Sequence, residues 1–113
     1  MNWNELNEES QLEALTQESV QHPVLIFKHS TRCSVSRLTL DRLERNWKHE
    51  ELQDVKPYFL DLITYRNISN AIVEKFNIEH ESPQILVIKN GECVLDQSHY
   101  AIDYQVIRSV AKN

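Results

Sequence analysis

Glycine is nearly missing from this chain: Gly91 is the only one among 113 residues. Glycine is the residue that adopts a positive φ without steric cost, so its single appearance marks a tight turn. The pair Asn90-Gly91 between two apolar stretches is a strong hairpin signal. Long hydrophobic runs are missing too, and the longest falls far short of the roughly 20 residues a membrane-spanning helix needs. Positive charge is in deficit, with 12 Lys and Arg against 17 Asp and Glu. That balance removes the basic footprint of a nucleic-acid binder. Cysteine is scarce: Cys33 and Cys93 could form one disulfide, a poor default in a reducing compartment. They and the five histidines (His22, His29, His49, His80, His99) follow no metal-ligand spacing, so no metal is expected. Repeats, linkers and low-complexity stretches are absent as well. What remains is an ordinary globular composition, 41% hydrophobic and 26% charged. Its length suits one domain, residues 1–113, that buries about two thirds of its unfolded surface. No charged segment with an apolar h-region and cleavage site opens the sequence, so a cytoplasmic protein is expected.

Residues 24 to 36 organise the rest. Val24-Leu25-Ile26-Phe27 follow Pro23 as a buried central strand would, and Ser30-Thr31 supply turn and helix-capping chemistry before a helical pattern begins. Cys33 therefore falls at the start of a helix leaving a buried strand. There, free N–H groups and the positive end of the helix dipole favour an anion such as a thiolate. An ordinary cysteine, with pKa about 8.5, is about 3% thiolate at pH 7, whereas one lowered to about 6 is about 90% thiolate. Arg32 and Arg37 push the same way. In a dithiol Cys-x-x-Cys site the second cysteine resolves mixed disulfides, but here that position is Ser36. Such a site can attack a disulfide and then needs an external thiol for release.

Elsewhere the spacing predicts a helix capped by Asn7 and running to about Ser19, with Trp3 and Leu6 packing the segment before it. In the Cys33 helix, Val35, Leu38, Leu43 and Trp47 recur as a core face. A strand over Pro57 to Leu62 and a helix capped by Asn67, with Ile68, Ala71, Ile72 and Phe76, complete a strand–helix–strand–helix unit with parallel strands. Gln84 to Lys89 and Glu92 to Leu95 flank the Asn90-Gly91 turn, read as type I′. A terminal helix from about Asp103 to Lys112 carries Val106, Ile107 and Val110.

Three motifs in order, Phe27-Lys28-His29-Ser30-Thr31-x-Cys33-x-x-Ser36, His80-Glu81-Ser82-Pro83-Gln84 and Ser98-His99, make the chain resemble the YtxJ-type monothiol bacilliredoxins over roughly residues 20 to 112. The resemblance implies a thioredoxin-like α/β fold, expected here as a four-stranded mixed sheet with helices on both faces. It also implies a cis peptide before Pro83, facing Cys33, with Ser82 offering backbone groups to an extended disulfide substrate. Ser82, Pro83, Gln84 and His80 are then the expected substrate groove. His80 and Glu81 either shape that groove or form an exposed ion pair. Cys33 is the expected nucleophile, with Thr31, Arg32, Ser34, Ser36 and His29 supporting it. Ser36 either donates a hydrogen bond to the thiolate or satisfies the first helical turn. Arg32 either aids electrostatically or is a solvated turn residue, and His29 either supports the site or is structural. Cys93 reads as a packed strand thiol, with oxidation or dimerisation as the alternative. Two departures stand out: Ser34 replaces the proline common after the nucleophile, leaving the turn less rigid, and the tryptophan common near Tyr100 is absent.

The function implied is removal of bacillithiol from S-bacillithiolated client proteins through a Cys33 mixed disulfide. No cofactor is bound, and bacillithiol or another low-molecular-weight thiol is the cosubstrate. Lys28, Arg32 or Arg37 would attract that thiol's carboxylates. Expected partners are the clients and the thiol, without nucleic acid or membrane, and the protein is expected as a monomer. Cys33-x-x-Ser36-Arg37-x-Thr39-Leu40 also resembles the site of glutaredoxin-coupled arsenate reductases, in which the arginine grips an oxyanion. A thioredoxin-fold redox sensor or binding module is a third reading.

Overall fold

The structure, a computed structural model, describes residues 1–112. Along the chain it runs β1 (Asn4–Glu5), α1 (Ser10–Glu18), β2 (Val24–His29), α2 (Ser34–Asn46), β3 (Lys56–Asp61), α3 (Arg66–Phe76), β4 (Gln84–Lys89), β5 (Glu92–Ser98), a 3-10 turn (His99–Ala101) and α4 (Tyr104–Lys112). The strands form one mixed sheet in the order β1-β3-β2-β4-β5. β1 and β2 each run parallel to β3, while β4 runs antiparallel to both β2 and β5. Every residue of β2 is buried, as expected of a strand with neighbours on both edges and helices on both faces.

Alternation along β2 divides the core in two. Val24 and Ile26 join Leu12 and Leu15 of α1 and Ile68 and Ile72 of α3. Leu25 and Phe27 join Leu43 of α2 and Ile107 and Ala111 of α4. The sheet is therefore covered on both faces, but it has five strands, not four. The added strand is β1, only two residues long and too short for periodicity to reveal. Trp3 and Leu6, on either side of it, pack against opposite core clusters.

Three local expectations are corrected. α1 starts at Ser10 with no side-chain cap bond. Instead of Asn7, the Gln11 side chain serves that end, its Oε1 accepting from the N–H groups of Asn7 (2.8 Å) and Glu8 (2.9 Å). α3 starts at Arg66 with Tyr65 as its N-cap, so Asn67 lies inside the helix and its amide reaches Glu9 (3.3 Å). In α2 the inward ridge is Ser36, Thr39 and Leu43, and Leu38 is 52% exposed. Two hydroxyl residues occupy core positions there, which rotated the apparent apolar stripe.

The Asn90-Gly91 turn has positive φ at both residues, 53° and 78°, the type I′ requirement. Its tip is tied to the end of α1, with Asn90 N–H donating to Ser19 O (2.8 Å) and Gly91 N–H to Ser19 Oγ (2.8 Å).

Candidate active site

β2 delivers the chain at His29 to a four-residue turn, Ser30 to Cys33, closed by a bond from Cys33 N–H to Ser30 O (3.2 Å). Cys33 is the N-cap of α2, extended at φ −112° and ψ 117°, and no side chain caps the helix. The Ser30 and Thr31 hydroxyls are thus not the caps that the sequence suggested. The first-turn N–H groups of α2 keep no side-chain acceptor, which leaves them available to an anion. Cys33 is a half-buried free thiol in a shallow recess shared with Thr31, Arg32, Ser34 and Arg37.

Ser36 is wholly buried. Its Oγ lies 2.7 Å from His29 Nδ1 and accepts the Ser30 N–H at 3.1 Å. The hydroxyl therefore braces the turn from beneath rather than bonding to the Cys33 sulfur. Burial pushes the His29 pKa down, with Asp61 opposing, so the ring is neutral at pH 7. His29 packs between the rings of Phe27 and Phe59. It reaches the Cys33 turn only through Ser36 and is 7% exposed.

The second half of the site is the loop before β4. The Ser82–Pro83 peptide is cis. Gln84 pairs with Lys28 in the β2–β4 register, so Pro83 stands at the sheet end where β2 leads to Cys33. Pro83 O accepts the His99 N–H (3.0 Å), His99 takes a positive φ of 54°, and its ring pairs with Glu81 (3.5 Å). This supplies the role the Ser98-His99 motif lacked in the sequence: the 3-10 turn clasps the cis-proline loop. It also corrects the ion pair expected of His80 and Glu81, because Glu81 pairs with His99. Ser82 Oγ is buried without a partner among the described residues.

Beneath this loop lies a polar cluster that sequence reasoning missed. Lys28 is completely buried, and its Nζ donates to Gln84 Oε1 (3.0 Å) and meets His80 Nδ1 (3.0 Å). Ser69 Oγ also reaches His80 Nδ1 (3.2 Å), and Gln84 Nε2 donates to Glu79 O (3.1 Å). Burial, aided by the Arg66 charge, lowers the Lys28 pKa to about 8. Burial and the cations Lys28 and Arg66 lower that of His80. Gln84 is wholly buried beneath the loop, whereas His80 is exposed at its surface with one ring nitrogen on Lys28, and Lys28 itself is closed to a substrate carboxylate. A lysine ending an apolar strand normally reads as the solvent-facing residue, which hid this role.

Cys93 sits on β5 against the Val24–Ile26 side of the core. Its thiol donates to Leu95 O (3.3 Å), and burial pushes its pKa up to about 11. No group of three or more His, Cys, Asp or Glu able to hold a metal occurs among the described residues.

The sequence matches the family profile described as "Monothiol bacilliredoxin BrxC" over residues 4–107. The chain belongs to the monothiol bacilliredoxin BrxC family. A solved structure described as a candidate oxidoreductase with a thioredoxin fold superposes with a TM-score of 0.79 at 29% identity, covering 96% of this chain and 92% of that one. Fasciola hepatica thioredoxin matches with a TM-score of 0.73 at 16% identity, covering 96% of both chains. Malassezia sympodialis thioredoxin matches at 0.75 and 15% identity, covering 98% and 89%. The fold is thioredoxin-like. For a BrxC-family protein, the word monothiol fits a site whose position three beyond Cys33 is a buried serine.

Proposed function

We propose that this BrxC-family chain is a thiol–disulfide exchange enzyme that removes bacillithiol from S-bacillithiolated proteins, with Cys33 as the nucleophile. The observation that carries this reading is a half-exposed thiol at an uncapped helix N-terminus, beside the cis-proline loop, with no second thiol in attacking position. The Cys33 thiolate attacks the bacillithiol sulfur of the client's mixed disulfide. A Cys33–bacillithiol disulfide forms and the client leaves as a thiolate that takes a proton from water. A free bacillithiol thiolate then attacks the bacillithiol sulfur bound to Cys33, so bacillithiol disulfide departs and the Cys33 thiolate returns. Across the two steps the client's mixed disulfide and one free bacillithiol become a client thiol and bacillithiol disulfide, so the disulfide bond passes from the client to the small thiol and no bound cofactor is required.

Arg32 and Arg37 at the recess suit a carboxylate-bearing thiol, and Thr31 and Ser34 complete its rim. Ser82 and Pro83 would receive the extended substrate, while Ser36, His29, His80 and Gln84 hold the two walls in position. A site with one working thiol suits a reducing cytoplasm, where a small thiol is plentiful.

The test is intact mass spectrometry after mixing the reduced protein with a bacillithiolated model protein. One bacillithiol is expected on wild type and on Cys93→Ser, none on Cys33→Ser, with free thiol appearing on the model protein. Transfer that tracks Cys93, or no transfer, overturns the reading. Arsenate reduction by the same preparation would then be the assay that distinguishes the oxyanion reading from a sensor.

A further inference from the structure

The outer ridge of α2 leads away from Cys33 through Ser34, Leu38, Arg42 and Arg45. Its far half forms one wall of a cleft of about 660 Å³, whose other wall is the 3-10 turn and the start of α4. Two sets of bonds fix the turn that walls this cleft to both halves of the site. His99 N–H holds the turn to Pro83 O, and an Arg42 guanidinium nitrogen holds it to α2 by donating to Ile102 O (2.6 Å) and Tyr100 O (3.5 Å).

Two features set this surface apart. In a chain of net charge −5, the cleft gathers Arg42, Arg45 and Lys48 against one carboxylate, Asp103, whose Oδ1 already accepts the Gln105 N–H (2.8 Å). Arg45 also meets Asp41 at 3.4 Å, but both side chains are more than 60% exposed, and such a pair is screened and easily exchanged. The second feature is apolar: Leu38 and Tyr100, 52% and 64% exposed, flank Arg42. A basic cleft with apolar shoulders complements an acidic peptide that also carries a hydrophobic residue.

We propose that this cleft docks an acidic segment of the S-thiolated client protein while Cys33 engages the client's disulfide. The proposal rests on the exchange function above and names which clients that function favours. Along α2 the nine residues from Cys33 to Arg42 span about 14 Å. An extended client strand covers that distance in about four residues. The favoured client therefore carries Asp or Glu about four to six residues from its thiolated cysteine.

The test uses three bacillithiolated peptides, identical except for three Asp, three Gln or three Lys at that spacing. They are assayed with wild type and with the exposed double variant Arg45→Glu/Lys48→Glu. The acidic peptide is expected to show kcat/KM about tenfold above the lysine peptide at low salt, with the preference lost in the variant and at about 0.5 M salt. The Gln peptide should exchange equally with both proteins. Equal rates for the three peptides, or a preference that survives charge reversal, overturns the docking site. So does an equal loss on bacillithiol disulfide itself, which would assign the cleft to the small thiol. If no peptide is exchanged, the function has failed rather than the docking. Fluorescence anisotropy of the acidic peptide with its cysteine replaced by serine then decides: binding weakened about tenfold by charge reversal upholds the cleft, and no binding overturns it.

Discussion

Lys28 carries charge into a place where charge is costly. In the folded protein its ammonium gives up its proton near pH 8, against about 10.5 ordinarily. Between those values the unfolded chain binds the extra proton, so stability rises as pH climbs from 8 towards 10.5. Below pH 8 both states are protonated and the folded state carries the full cost, roughly 3 kcal/mol. Lys28→Met should abolish that rise in urea denaturation followed from pH 7 to 10. At pH 7 the same substitution should change stability by no more than about 2 kcal/mol. Relief from desolvation is offset there by a Gln84 Oε1 left without its donor, about 1–3 kcal/mol. Equal pH slopes in the two proteins would show that the ammonium is solvated. Ser36→Ala tests the neighbouring brace. Removing the hydroxyl orphans the buried His29 Nδ1 and the half-buried Ser30 N–H and should cost about 1–3 kcal/mol by denaturation. The rate at which iodoacetamide alkylates Cys33 should stay within about twofold, because the lost bonds do not involve its sulfur. A tenfold fall would instead place the hydroxyl on the thiolate.

At the scale of elements, α2 shows what its sequence concealed. Leu38 and Leu43 look equivalent in the apolar pattern, but Leu43 is 2% exposed and Leu38 52%. Leu43→Ala should cost about 2–4 kcal/mol in thermal or urea unfolding, and Leu38→Ala less than about 0.5 kcal/mol. Similar costs for the two would overturn the rotation of the helix described here. β2, β4 and the Asn90-Gly91 turn were legible because each signal is local: β-branched runs, and a dipeptide that tolerates two positive φ angles. Gly91→Ala has room, since an added Cβ would meet only Thr16 Cγ2 at 3.7 Å, so its expected cost of about 1 kcal/mol comes from φ alone. The Lys28 cluster and the His99 clasp were not legible, because each joins residues far apart in sequence through side chains that normally face water. The caps of α1 and α3 were misplaced for a related reason. Asparagines invited the assignment, while Gln11 took up N–H groups before α1 and Asp61 took those of Ile63 and Thr64 before α3.

Across the whole molecule, the sheet separates two apolar layers, and β2 and β4 touch both. Native-state amide exchange should therefore be slowest in Val24–Lys28 and Ile85–Ile88, at rates set by global unfolding. β1 and the loop before β4 should exchange far sooner. Fast exchange in β2 would contradict a core built on that strand. No helix among the described residues is long and apolar enough to cross a membrane. The N-terminal residues matter more to the sheet than their number suggests, since Leu6 is 1% exposed and its N–H donates to Phe59 O at 2.9 Å. Removing residues 1–6 should lower the melting temperature by roughly 8–17 °C, consistent with the loss of a buried leucine of about 2–4 kcal/mol.

The slot around Ser36 is sized for oxygen. Sulfur is larger, and a cysteine there would press against His29 Nδ1 from a contact now 2.7 Å long, while His29 is wedged between two phenylalanine rings. Ser36→Cys alone should therefore overpack the turn that carries Cys33 and cost about 1–3 kcal/mol, and a smaller residue at 29, which leaves the Ser30 N–H its acceptor, should relieve that cost.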